Sequence, residues 1–348
     1  MAVLLQARAF RSVSLEGEGA AGVVVKRFHH PSPLLAPLDR RRARREHAAL
    51  AALHAVGASV PRPLGVQRGV RGWELRLAAV PHARPLSEHL GAAPPPGGWP
   101  ALLARLGRLL AEVQQAGWAH GDPHPGNVLV DAHGRPWLID LQSARRARPE
   151  PARCLAELVE CAGHVREVLA ARLRLRFLVA WRAALAPALR PRLAGAALAR
   201  ALEDRARAFR RASVRAHLDR WLRPSSRVEP AAEHGPGALV RRDLAGLGRA
   251  ELLARARHRL RAPAAELRQR WLGAARLREH GLPVLGPALY VPAGRAAWCA
   301  FDDAAGLTPA ALSALLADRG LGLHAPELAT AAHGVVLLPP REHDVVEA

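Results

Sequence analysis

The sequence predicts an α+β fold of two lobes, a small β-rich lobe over residues 1–80 and a helical lobe over 81–222, with a C-terminal appendage over 223–348. Three observations carry this expectation. Strand-like segments crowd the first 80 residues, apolar residues recur at helical spacing from residue 101 and again over 150–222, and the amino-terminal pattern restarts beyond about residue 223.

Taken in order, residues 1–30 read as strands around a glycine turn, GEGAAG, with Gly17, Gly19 and Gly22, followed by the apolar run Val23 to Phe28. Leu38 to Val56 has a helical pattern, with Asp39 in the N-cap position and Gly57 as the stop. Pro61, Pro63 and Gly65 break the chain before WELRLAAV (73–80), a strand. PLSEHL reads as a short helix and GAAPPPGGWP (91–100) as a loop. Ala101 to Ala116 is an apolar helix that delivers the chain to HGDPHPGN, and 150–222 is helical throughout. In the appendage, 273–291 resembles 49–66 and 295–316 resembles 71–90, which is the pattern of a partial internal duplication or of chance likeness between Ala/Leu/Arg-rich helices.

Composition narrows the function classes. The formal charge is +21, which favours anionic surroundings, although an arginine-biased composition produces the same number. No basic run is interleaved with aromatics as single-strand binders require, so no nucleic-acid partner is expected. Cys154, Cys161 and Cys299 form no CxxC pair, which argues against a disulfide framework or zinc knuckle. The opening MAVLLQARAF is too short an apolar run for a signal peptide, and no window approaches a membrane span. A cytoplasmic protein is the expectation.

Two residues stand out against this bias. Lys26 is the only lysine among 51 basic residues, and Asn127 is the only asparagine in the 348-residue chain. Period-2 alternation puts Lys26 on the face of Val24 and Phe28. In the next helix Glu46, Leu50 and Leu53 fall at i, i+4 and i+7, so Glu46 shares the inward stripe while Arg40, Arg41, Arg42, Arg44 and Arg45 spread around the rest. A carboxylate on an apolar stripe needs a cation, and the sole lysine is the obvious partner. NVLVDAHGRPWLID (127–140) reads as a β-hairpin. If Asp131 faces Pro136, Asn127 lies opposite Asp140, and the two hard oxygen ligands converge in a manner that suits Mg²⁺. Asp122 sits in the loop just before.

In order along the chain, Gly17-x-Gly19-x-x-Gly22, Lys26, Glu46, His120-Gly-Asp122-x-x-x-x-Asn127 and Asp140 resemble the signatures of the protein-kinase-like superfamily. Gly121 stands where regulated protein kinases have arginine, Asp140-Leu-Gln replaces D-F-G, and no A-P-E follows, so the chain resembles the atypical, small-molecule branch. IDLQSAR and RCLAELVE…RLRLRFLVAW (153–181) are most similar to the lipopolysaccharide core (heptose/Kdo) kinases. That resemblance implies a two-lobed kinase-like fold, with an appendage like a degenerate second N-lobe carrying Arg241 and Arg242 near the lysine position and Arg270 where Glu46 would align. It implies ATP and Mg²⁺ as cofactors, with Asp122 as base or orienter of the acceptor hydroxyl and Asn127 and Asp140 on the metal. Lys26, held by Glu46, would contact the phosphates, and Gly17, Gly19, Gly22, Ala78 and Val80 would border the nucleotide. The implied activity is phosphoryl transfer to a hydroxyl, on an anionic glycolipid sugar presented at the cytoplasmic face of the inner membrane. An atypical small-molecule or protein Ser/Thr kinase of the aminoglycoside or ubiquinone-biosynthesis type is the alternative within the fold. Outside it, His120, Asp122 and His124 could hold a hydrolase metal, or the whole could be a non-catalytic scaffold.

Overall fold

The computed structural model describes residues 2–8, 11–17, 19–30, 36–70, 72–90, 94–166, 169–193, 195–225, 227–234, 236–255, 258–261, 263–279, 287–292, 298–301, 317, 321–323, 328–331, 334–337 and 345–347. The chain divides into two compact units, Met1–Ala206 and Arg207–Ala348.

The first unit begins with an antiparallel sheet of β1 (Ala2–Arg8), β2 (Arg11–Glu16), β3 (Val23–Phe28), β4 (Pro63–Gly69) and β5 (Gly72–Ala78), in the order β1-β2-β3-β5-β4. Helix α1 (Ala36–Ala55) joins β3 to β4 and packs Leu50 and Leu53 on the sheet face that carries Phe28, Leu75 and Leu77, all of them buried. The opposite face is polar: Arg27 donates to Glu74 (2.8 Å), Glu16 (2.9 Å) and Ser14 (2.8 Å), so its charged groups are paired where the sheet meets solvent. β4 was not anticipated from the sequence. It is an edge strand opened by Pro63, the one position in a strand where a missing N–H costs no ladder bond.

Helix α1 starts three residues before the expected cap. Asp39 lies buried inside its first turn and accepts the His30 backbone N–H at 2.7 Å, so it ties the helix to the end of β3 and does not cap it.

The helical part holds β6 (Arg84–Pro85), α2 (Leu86–Leu90), α3 (Gly98–Gln115), β7 (Trp118–Ala119), β8 (Val128–Val130), β9 (Pro136–Leu138), β10 (Arg145–Arg146), α4 (Pro151–Val165) and α5 (Ala171–Ala184). α6 (Gly195–His217) follows and contains the boundary between the units. The segment read as one helical stretch is thus three helices with breaks between them. α3 and α5 cross closely at Gly107, where a Cβ would stand 2.5 Å from the Phe177 carbonyl oxygen, so a larger residue would force the helices apart.

The second unit has its own core. Val214, Leu218 and Trp221, which the sequence groups with the helical lobe, pack there with Leu267, Trp271 and Tyr290. Its sheet contains β11 (Val228–Pro230), β12 (Leu239–Arg241), β13 (His258–Arg261), β14 (Pro287–Val291) and β15 (Trp298–Phe301), ordered β11-β12-β14-β15-β13. Between β12 and β13 lies α7 (Arg249–Arg255), and α8 (Ala264–Glu279) joins β13 to β14. The run β13-α8-β14-β15, with β15 paired between the other two strands, repeats the connectivity of β3-α1-β4-β5. β12 pairs with β14, however, whereas in the first unit β2 pairs with β3. By that correspondence the lysine-bearing strand matches β13, and Arg241 and Arg242 fall elsewhere, at the end of β12.

Candidate active site

The site is built from β3, α1, the loop between β7 and β8, and the residues after β9. In the β2–β3–β5 ladder Lys26 pairs with the half-buried Val13 and the buried Leu75, which places its side chain on the α1 side. There Lys26 Nζ donates to Glu46 Oε1 at 2.5 Å and to Asp140 Oδ1 at 3.3 Å. Glu46 is fully buried, so the carboxylate and the lysine sustain each other's charge. Burial alone would lower the Lys26 ammonium pKa, but Glu46 and Asp140 outweigh it and hold it above its ordinary value. For Asp140, burial pushes the carboxyl up, and the Lys26 and Arg11 cations prevail and hold it below the usual carboxylate range.

The expected hairpin register is corrected by one residue. Val128 pairs with Leu138 and Val130 with Pro136, and Ile139, not Asp140, bonds to Asn127, its N–H donating to the Asn127 carbonyl at 2.9 Å. Asp131 causes the shift. Its carboxylate accepts from the backbone of His133 and Arg135 and from the Trp137 indole, and its own N–H donates to the Arg135 carbonyl, closing a three-residue turn. Asp140 therefore lies one step past the ladder. It takes a left-handed backbone (φ 60°), which an aspartate tolerates better than most residues, and its carboxylate meets Lys26.

The HGD loop is held from several sides. His120 is fully buried; its Nε2 lies 3.1 Å from the Ile139 carbonyl and its Nδ1 accepts the Asp122 N–H at 3.3 Å. A donating Nε2 and an accepting Nδ1 describe the neutral ring, and burial brings its pKa down to about 4. Neither nitrogen is left for a metal, which removes the His120–Asp122–His124 hydrolase set. His124 instead accepts the Gly126 N–H at 3.0 Å and caps the turn into Asn127. At Gly121 the backbone is left-handed (φ 79°) and a Cβ would lie 2.5 Å from the Ser143 carbonyl oxygen, so glycine is dictated by sterics.

Sequence reasoning missed two residues of this site. Glu157 of α4 accepts the backbone N–H groups of His120 and Gly121, and its other oxygen accepts from Gln114 at 3.0 Å; burial raises its pKa despite these donors. Gln114 in turn accepts from the Trp181 indole at 2.9 Å, so α3, α4 and α5 jointly suspend the loop. Its signal was available, since an acid on the stripe of Cys154, Leu158 and Cys161 poses the question that Glu46 poses. The second is Arg11, whose Nη1 lies 2.9 and 3.0 Å from the two oxygens of Asp140.

Asp122 presents a side chain that is 44% exposed. Its carbonyl accepts the Asn127 amide nitrogen at 3.0 Å, which leaves the amide oxygen of Asn127 as an open acceptor. Hard oxygens from Asn127 and Asp140 suit Mg²⁺, and among the described residues no group of three or more His, Cys, Asp or Glu gathers to hold a metal ion. A divalent cation here would complete its shell from phosphate and water, as Mg²⁺ commonly does.

The glycine turn is not brought to this cluster. Gly17, Gly19 and Gly22 link β2 to β3 at the Val23 end, three residues along the strand from Lys26. There Gly22 accepts the Ala79 N–H at 2.9 Å, beside Ala78 and the half-buried Val80, and the Ala78 N–H is taken by the Arg62 carbonyl.

Residues 22–155 match the lipopolysaccharide kinase (Kdo/WaaP) family. The Kdo/WaaP match takes in Lys26, Glu46, Asp122, Asn127 and Asp140, and excludes Arg11 and Glu157. Curated relatives are named 3-deoxy-D-manno-octulosonic acid kinase. That of Vibrio parahaemolyticus serotype O3:K6 (strain RIMD 2210633) is 29% identical over 112 residues, 31% of this chain and 46% of the relative. That of Stenotrophomonas maltophilia (strain R551-3) is 30% identical over 124 residues, 34% of this chain and 48% of the relative. The chain thus spans about half the length of the curated relatives it matches. Among solved structures, WbdD is similar at 22% identity and a TM-score of 0.39, over 66% of this chain and 47% of that one. The kinase domain of Mycobacterium tuberculosis PknI is similar at 19% identity and a TM-score of 0.38, over 58% and 94%. Among the described residues no helix is long and apolar enough to cross a membrane.

Proposed function

We propose that the site transfers the γ-phosphate of ATP to a hydroxyl of a lipopolysaccharide core sugar, Kdo before heptose. The observation that carries this reading is the buried Lys26–Glu46 pair joined to Asp140, with the HGD loop anchored beside it. A compact ammonium that contacts two carboxylates, at 2.5 and 3.3 Å, is placed to contact phosphate as well, which a planar guanidinium could not do in the same space. Asp122, whose carboxylate is open to solvent, accepts or orients the acceptor hydroxyl's proton. Asn127 and Asp140 hold Mg²⁺, which when bound neutralises phosphate charge. The base of the nucleotide lies toward Ala78 and Val80. The glycine turn, seated against Ala79, borders that end and not the phosphates.

The acceptor reading draws on the names of the curated relatives and on α1. Leu38, Arg41, Arg42 and Arg45 line an open cleft of about 450 Å³, and Arg45 donates to the Gln142 carbonyl, two residues from Asp140. Guanidinium forks there suit the carboxylate or phosphate of an anionic sugar, and the same arginines draw the protein to an anionic membrane face at the periphery. The assignment of 1–80 and the helices that follow as the two kinase-like lobes, and of the C-terminal part as a degenerate N-lobe repeat, belongs to this proposal, with the expected boundary at 222/223 moved to 206/207, since Val214, Leu218 and Trp221 pack in the second unit. It is supported by the strand connectivity shared by the two sheets.

The test is transfer of labelled phosphate from ATP to purified Kdo-containing core oligosaccharide, heptose-only core and an aminoglycoside, in wild type and in Asp122→Asn. Transfer to the Kdo core, lost in Asp122→Asn while ATP binding by calorimetry survives, is expected. Undiminished transfer in the variant, or a preference for the aminoglycoside, would remove the assignment.

A further inference from the structure

Asp140 is held by two cations, and only Lys26 has a place in the scheme above. Arg11 opens β2 two residues before Val13, the partner of Lys26, so Arg11, Val13, Lys26 and Phe28 share one face of the sheet. The Arg11 residue is 9% exposed, and its guanidinium touches both carboxylate oxygens, at 2.9 and 3.0 Å. Lys26 adds a third contact at 3.3 Å. In this arrangement both oxygens of Asp140 are engaged, and a cation entering would stand beside two others in a partly buried site. An anion that drew Arg11 off would free those oxygens. The phosphate chain of a nucleotide is such an anion, with oxygens spaced for a guanidinium fork.

We propose that Arg11 is a phosphate-binding residue of the nucleotide site and that, until nucleotide arrives, it closes Asp140 to free divalent cations. The proposal rests on the reading of Asp140 as a metal-binding residue. Arg11 lies outside the residues matched by the Kdo/WaaP family, so nothing in that match assigns it a role. One residue then couples the two ligands: metal enters with nucleotide and does not precede it.

The experiment is Mn²⁺ titration of the whole protein, followed by the paramagnetic resonance of free Mn²⁺, with and without a non-hydrolysable ATP analogue, each read as the difference from the same titration lacking protein. Wild type should take up Mn²⁺ tightly only in the presence of the analogue. Arg11→Met, which keeps the aliphatic stem, should bind Mn²⁺ alone about tenfold more tightly than wild type and bind the analogue about tenfold more weakly. Arg11→Lys should keep Mn²⁺ excluded, which separates loss of charge from damage to the fold. A Met variant that gains no Mn²⁺ affinity, or that holds the analogue as wild type does, overturns the proposal. Asp140→Asn should lose Mn²⁺ even with the analogue. If it does not, the failure lies in the reading of Asp140 itself, and the role of Arg11 falls with it.

Discussion

Replacing Lys26 by methionine removes a charge and keeps most of the volume. What remains is Glu46, fully buried, with Oε1 bonded to nothing but the lost ammonium among the bonds described and Oε2 without a partner. Removing one partner of a buried pair typically costs about 3–5 kcal/mol, because an uncompensated charge is left in a dry interior. The double variant Lys26→Met/Glu46→Leu removes both charges. Replacing a buried pair with apolar side chains is often close to neutral, so it should return to within about 2 kcal/mol of wild type. Asp140 would still have Arg11. Stability should thus recover while phosphoryl transfer stays absent in both variants. Hydrogen exchange of the β3 and α1 amides reads the opening free energy of this region directly, without interference from the second unit. A single variant within about 1 kcal/mol of wild type, or a double variant no more stable than the single, would refute the claim that the pair is mutually dependent.

Two further outcomes follow from the HGD loop. The His120 pKa lies at about 4 in the folded protein, below the ordinary 6.5, so the unfolded chain takes up its proton first as the pH falls. The neutral ring's contribution is complete above about pH 6.5 and is lost between there and pH 4, about 3 kcal/mol in all. Exchange measured across that window should show the decline in wild type and a flatter profile in His120→Gln; a flat wild-type profile would contradict it. Gly121→Ala should cost about 1–3 kcal/mol and reduce transfer, because its Cβ would collide with the Ser143 carbonyl at a left-handed backbone position. Wild-type melting and wild-type rate in that variant would show that the loop has room the geometry denies.

The parts of the site legible in the sequence were those where a charge conflicts with its surroundings. Glu46 on an apolar stripe demanded a cation, and Lys26 was the one found. Glu157 was legible by the same logic. Arg11 was not, because its role depends on how β2 registers on β3 across a glycine turn, and one of many arginines carries no distinguishing mark. The hairpin failed by a single residue, since whether Asp131 faces Pro136 or Arg135 is decided by three hydrogen bonds to one carboxylate. Composition hid β4, where proline and glycine occupy an edge strand whose outer groups need no ladder partner. The glycine spacing misled for a related reason: it marks a turn, and only the strand order shows which end of the sheet that turn serves.

A chain with one lysine has one ε-amine, and here the residue that carries it is buried and the amine is engaged by two carboxylates. Acylating reagents that modify most proteins at many lysines therefore have a single side-chain amine to reach, inside the site. Its acylation rate becomes a clock for the release of that amine from its carboxylates, slowed by whatever covers the site. Measured with candidate ligands added in turn, that one rate would rank them without any turnover, and a protease that cuts after lysine would report the modified fraction at one bond.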